Sequence, residues 1–139
     1  MARRRVASGN ELEREYGYSR AVSIGNRVLV AGTAPVWEDG EVDPDPGVQA
    51  FRCIEIILTA LAQVGAGPEH VVRTRMYVTD AAYADVVGRV HGKVFGEIRP
   101  VTSMLVVAGL LDPRWKVEIE AEAMLLNERT KWGRVLGGR

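Results

Sequence analysis

The sequence predicts an α+β fold, one sheet with two helices on one face, in the order β-β-α-β-α-β-β. Three observations predict it. Val117 to Met124 alternates strictly, with Val117, Ile119, Ala121 and Ala123 on one face and Glu118, Glu120 and Glu122 on the other, the period of a half-buried strand. Two stretches with helical spacing, residues 46–64 and 81–95, are interleaved with strand-like runs, which places helices against a sheet. The run Val101 to Ala108 is almost wholly apolar, as in a strand covered on both faces.

At 139 residues the chain is expected to form one domain, here residues 16–126, between a flexible N-terminal arm (1–15) and a basic C-terminal tail (127–139). Eighteen basic and eighteen acidic side chains cancel, so no global field draws the protein to nucleic acid or to a membrane. No apolar run reaches membrane length. Arg3, Arg4 and Arg5 are followed by no signal-like apolar region and read as a solvated terminus. The single cysteine, Cys53, excludes an internal disulfide and fits a reducing cytoplasm.

Residues 1–15 lack a clear period and read as a mobile arm or a short strand. Ala21 to Ile24 and Arg27 to Ala34 form a hairpin around Gly25-Asn26, two residues that accept positive φ. Gly32 near the end of the second strand marks either a bulge or a close approach to the backbone. Asp45-Pro46 is a helix start, with Asp as N-cap and Pro at the first helical position. The helix carries Ala50, Phe51, Ile54, Ile57, Leu58, Leu61 and Val64 as its apolar stripe, with Cys53 a small buried or semi-buried residue. Gly65, Gly67 and Pro68 stop it.

Val71 to Thr79 is a strand on which Arg73 and Arg75 share a face, able to pair with the glutamate row of the last strand. Asp80 caps the second helix, with Tyr83, Val86, Val87, Val90, Val94 and Phe95 inward. Gly88 and Gly92 lie one turn apart on it. Each costs about 1 kcal/mol against Ala, so close packing or a ligand is needed to explain them. His91 reads as a surface or interface residue. Neither it nor His70 has a second His or Cys at metal-ligand spacing, and no metal site is expected. No P-loop, dinucleotide glycine fingerprint or nucleophile elbow is present.

The stretches Gly17-Tyr18-Ser19-Arg20-Ala21-Val22, Val30-Ala31-Gly32, His70-Val71-Val72-Arg73, Met76-Tyr77-Val78-Thr79-Asp80, Arg99-Pro100 and Lys116-Val117-Glu118-Ile119-Glu120-Ala121 together resemble the YjgF/RidA family, from about Tyr16 to Met124. The resemblance implies a chorismate-mutase-like fold, a homotrimer with ligand clefts between subunits, and hydrolysis of imines or enamines such as 2-iminobutanoate without metal or cofactor. It assigns Tyr18 and Glu118 to the catalytic positions, and Gly32, Thr33, Thr102, Met104 and Gly88 to the ligand-binding ones. Thr102 stands where the archetype has the arginine that grips a substrate carboxylate, Met104 where it has a cysteine, and Gly88 where it has an asparagine. A threonine hydroxyl cannot replace that charge, so the chain resembles an arginine-lacking branch. Arg99, an odd offset from Thr102, points to the opposite face unless Pro100 bends the chain.

Three functions compete on this reading. The first is hydrolysis of a small imine or enamine in an inter-subunit cleft. The second is a metabolite-binding trimer without turnover. The third, an RNA-acting protein, is disfavoured by net neutrality and by the lack of aromatic residues interleaved with basic ones.

Overall fold

The computed structural model describes residues 2–125, so the expected tail at 127–139 lies outside the described residues. Strands β1 (Arg3–Val6), β2 (Ala21–Ile24), β3 (Arg27–Thr33), β4 (Val71–Val78), β5 (Val101–Val106) and β6 (Val117–Met124) form one sheet in the order β1-β2-β3-β6-β4-β5. Helices α1 (Glu11–Tyr16), α2 (Pro46–Ala62) and α3 (Ala84–Phe95) connect them. Every pairing is antiparallel except β4 with β5, the pair joined through α3. The α+β expectation therefore holds, with α2 and α3 packed together over one face of the sheet.

The expected arm at residues 1–15 is a strand followed by a helix. β1 pairs with β2 from Arg3↔Ile24 to Val6↔Ala21, and Val6 is buried. Asn10 Oδ1 accepts from Leu12 N at 2.9 Å to cap α1, and Gly17 closes it at φ 75°. Apolar periodicity could not reveal α1, because it buries none of its residues. In the β2–β3 hairpin only Gly25 takes positive φ (59°), with Asn26 outside the left-handed region, the pattern of a type II′ turn.

Asp45 Oδ1 accepts from Gly47 N at 2.7 Å and Val48 N at 3.1 Å, which starts α2 as its sequence predicts. The buried face is Ala50, Cys53, Ile54, Ile57, Ala60 and Leu61, and each fully buried Ile or Leu contributes about 1.5–3 kcal/mol. Phe51 does not join the stripe and is 51% exposed, because it lies about a quarter turn off the arc from Ala50 to Leu61. Val86 on α3 is likewise exposed, while Val87 and Phe95 are buried. Gln49 is fully buried within α2. Its Nε2 donates to Asp43 O (2.8 Å) and Arg114 O (3.0 Å), and its Oε1 accepts from Lys116 N (2.7 Å). One side chain thus ties α2 to the loops on either side of it in space, immediately before β6 begins.

β6 alternates as expected, its apolar residues turned to the helices. On the other face Arg75 pairs with Glu120 at 3.3 Å, Arg73 with Glu122 at 3.8 Å, and Arg27 with Glu122 at 3.3 Å. Tyr77 Oη also donates to Glu120 at 2.8 Å. The expected cross-strand pairing of Arg73 and Arg75 with the glutamate row is therefore present, and Glu118 is the member it leaves out.

β5 departs from expectation. It is an edge strand, and Val101, Leu105 and Val106 are 60%, 45% and 59% exposed within the chain. An apolar run reports that a strand needs cover, not which surface supplies it.

Candidate functional site

Three of the expected ligand-binding residues, Gly88, Thr102 and Met104, line one open cleft of about 460 Å³ between α3 and β5, together with Met76, His91, Gly92, Phe95, Gly96, Arg99 and Pro100. Parallel register sets Thr102 beside Thr74 and Met104 beside Met76, on the helix-covered side of the sheet. The wall opposite is the bare backbone of Gly88, Gly92 and Gly96, successive turns of α3. A Cβ at Gly92 would meet nothing within 4 Å, and one at Gly88 only Met104 Cε at 3.8 Å. Packing among the described residues thus explains neither Gly88 nor Gly92.

A hydrogen-bonded chain runs across the floor. Thr102 Oγ1 lies 2.8 Å from Thr74 Oγ1, which lies 2.8 Å from His91 Nε2. Thr74 is buried, and the imidazole packs at 4.7 Å on the Phe95 ring. Burial holds the His91 pKa below the ordinary histidine value, so the ring is neutral at neutral pH. His91, read from sequence as a surface or interface residue, is half-buried in this cleft. Its partner Thr74 is revealed only by the sheet register.

Arg99 is also in this cleft. Its φ of 53° is the only left-handed value at a described non-glycine residue. Its N–H donates to Phe95 O at 2.8 Å, so it closes the end of α3 in a position that glycine usually takes. The chain bends there, and the alternation argument that put Arg99 on the face away from Thr102 does not apply.

The second cluster is on the opposite face. Glu118 falls on the open side of β6 by strand parity, opposite Tyr77. The β3–β6 register slips between Val30 and Thr33, and Gly32 sits in that bulge against Glu118. A Cβ on Gly32 would stand 2.7 Å from Glu118 Oε2. Both local readings of Gly32, bulge and close approach, are therefore true. Burial raises the Glu118 pKa above the ordinary carboxyl value, with Arg20 opposing and Glu120 adding to the rise.

Arg20, missed by sequence reasoning, links this cluster together. Its Nη2 donates to Ala31 O (2.7 Å), Gly32 O (2.9 Å) and Thr33 Oγ1 (2.7 Å), so it pins the bulge, and its charge reaches both Tyr18 and Glu118. Thr33 does not fit the expected ligand contact. It is buried, and its hydroxyl donates to Ala31 O at 2.7 Å. Its side chain follows the inward parity of β3 beyond the bulge. Tyr18 is 40% exposed and lines a groove with β1 and α1.

Within one chain, Thr102 and Glu118 thus occupy opposite faces of the sheet. The Thr102 cleft thus holds a half-buried imidazole, and the open face holds a half-buried carboxylate beside bare backbone.

The family model for endoribonuclease L-PSP matches residues 8–125. The uncharacterized protein SCO2049 of Streptomyces coelicolor is 42% identical over 123 residues, covering 86% of this chain and 90% of that protein. The crystal structure of Rv2704 from Mycobacterium tuberculosis, a member of the YjgF/YER057c/UK114 family, superposes with a TM-score of 0.82 at 47% identity, over 89% of this chain and all of that one (100%). The YjgF protein of E. coli superposes with a TM-score of 0.75 at 27% identity, over 88% of this chain and 93% of its own.

Proposed function

The chain belongs to the endoribonuclease L-PSP family, the YjgF/RidA group, and from that premise we propose that it hydrolyses small imines or enamines in clefts completed by a second copy of itself. The observation that carries this reading is Glu118. It is the one glutamate of its row without an arginine partner among the described residues, half-buried and raised in pKa over the bare backbone of Gly32. Such a carboxylate suits a base that takes a proton from water and returns it to a leaving nitrogen.

In the proposed reaction a protonated imine carbon lies between Thr102 of one copy and Glu118 of the next. Water attacks that carbon, its proton passes to Glu118, and the C=N π pair collapses onto nitrogen. Glu118 then protonates the amine, the C–OH proton passes to a base of the cleft as the C–N bond breaks, and a ketone and ammonia leave. Tyr18 would border the ligand and Gly32 would leave it room. The opposite-face placement of Thr102 and Glu118 supports a shared cleft, and the exposed β5 edge supports a homotrimer that covers it. The proposal requires no metal or cofactor.

The test uses 2-iminobutanoate generated in situ and a ketimine of similar size lacking the carboxylate. We expect accelerated loss of at least one, abolished in Glu118→Gln. No acceleration of either would refute the hydrolase reading. Saturable binding of the corresponding ketones without turnover would support the metabolite-binding alternative, favoured by the uncharged Thr102. RNA action is the weakest reading, since Arg73 and Arg75 on the open face are already paired with glutamates. A monomer mass in light scattering would contradict the trimer.

A further inference from the structure

We infer that His91 is the proton acceptor of the Thr102 cleft, acting through the Thr74 and Thr102 hydroxyls as a relay. The inference rests on the hydrolase reading above for its substrate, but its geometry stands apart from Glu118. Three polar groups at successive 2.8 Å spacings lead from the half-buried imidazole to a hydroxyl exposed in the cleft. Thr74, the middle member, is buried, and both of its described side-chain hydrogen bonds are links of this chain. A hydroxyl both donates and accepts, so Thr74 receives a proton on one side as it releases its own on the other.

The direction follows from the tautomer. With the ring neutral and its proton on Nδ1, Nε2 accepts from Thr74 and Thr74 accepts from Thr102, whose one hydroxyl proton can instead go to Pro100 O at 3.2 Å, and the Thr102 oxygen is left to accept from a ligand. The groups around the ring are Thr74 from β4, Thr102 from β5, Phe95 from α3 and Arg99 from the following loop; no carboxylate is among the described residues lining the cleft. Burial alone lowers the His91 pKa, and no carboxylate among the described cleft residues draws a proton onto the ring in the resting state.

This supplies what Glu118 alone cannot. Collapse of a protonated carbinolamine must deprotonate the C–OH oxygen while nitrogen leaves already protonated. The hydroxyl proton passes to Thr102 Oγ1, the Thr102 proton to Thr74, and the Thr74 proton to His91 Nε2. The O–H pair becomes the second bond of C=O, the C–N pair leaves with ammonia, and His91 ends protonated. Imidazolium then returns its proton to ammonia or water; each threonine has gained one proton and passed one on, so both keep a hydroxyl proton throughout. His91 is thus a positioning residue for Thr102 and the terminus of its proton.

Methyl NMR tests the relay without substrate. The Thr102 methyl is followed across the histidine pH range beside the His91 ring signals. We expect the methyl to show a step at the His91 midpoint, lost in Thr74→Val and restored in Thr74→Ser. Thr74→Ala serves if valine is not accommodated. A step that survives removal of the hydroxyl, or no step in the unaltered protein, overturns the relay. In the imine assay, kcat should rise with pH through the His91 midpoint, and His91→Gln should lose that limb and about 100-fold in kcat. An unchanged pH profile in His91→Gln also overturns it. Absence of turnover in the unaltered protein counts against the hydrolase reading, and the methyl titration then decides the relay independently.

Discussion

Replacing Gln49 by leucine tests whether a buried side chain holds the start of β6 in register. The substitution keeps approximate volume and removes three hydrogen bonds, to Asp43 O, Arg114 O and Lys116 N. Each is worth about 0.5–1.5 kcal/mol net, and Gln49 is fully buried, so orphaned partners regain water poorly. The expected loss is about 3 kcal/mol, or roughly 12 °C in Tm for a domain of this size. Gln49→Glu sharpens the test. A carboxylate still accepts from Lys116 N but faces the Asp43 and Arg114 carbonyls with lone pairs, so its folded-state pKa is raised above the unfolded value. The folded state then binds the proton more tightly, and stability falls as pH rises through the window between those two pKa values. Urea denaturation of the three proteins at acid and neutral pH reads both effects. A loss under about 0.5 kcal/mol for Gln49→Leu, or a pH-independent Gln49→Glu, would show that water replaces these bonds and would refute the reasoning.

Three further outcomes follow from the site. Gly32→Ala must push Glu118 Oε2 from 2.7 Å to ordinary contact, and since a displacement of about 1 Å costs about 100-fold, imine turnover should fall 10- to 100-fold with Tm almost unchanged; wild-type turnover would place the carboxylate's role elsewhere. Glu118→Gln should be more stable than the parent at neutral pH and equal to it in acid, because the raised Glu118 pKa makes the parent lose stability as pH rises from the unfolded value through the folded one; urea midpoints across that range check the sign. Arg99→Gly should gain about 0.5–1 kcal/mol in thermal unfolding, since φ 53° is unfavourable for arginine and free for glycine, while weakening any anionic ligand in the cleft.

Much of the fold was legible because its signals are local. The alternation of Val117 to Met124, the Asp45-Pro46 helix start and the Gly25 turn each need only a few neighbouring residues. The pairing of Arg73 and Arg75 with Glu122 and Glu120 was legible too, since parity and adjacency suffice. What escaped is what depends on distant chain. Thr74 looks like any strand threonine until β5 brings Thr102 beside it and α3 brings His91 above. Arg99 was excluded by counting alternation through a residue that the helix end turns left-handed. The resemblance assigned Thr33 to the ligand, and only the register slip of β3 shows that its side chain turns inward, to Ala31 O. The exposure of β5 was invisible because composition does not tell an internal neighbour from another molecule.

The strand order has a kinetic consequence. β1, β2 and β3 pair among themselves, as do β4 and β5, and only β6 touches both groups. It is also the last described strand in sequence, and its insertion joins two open-edged half-sheets. That insertion closes the most sequence-distant pairings, and contact order predicts that it is a slow, late step. The same strand brings Glu118 against the Gly32 bulge, so a chain without β6 in place lacks that contact. Placement of that carboxylate and completion of the sheet therefore arrive in one event.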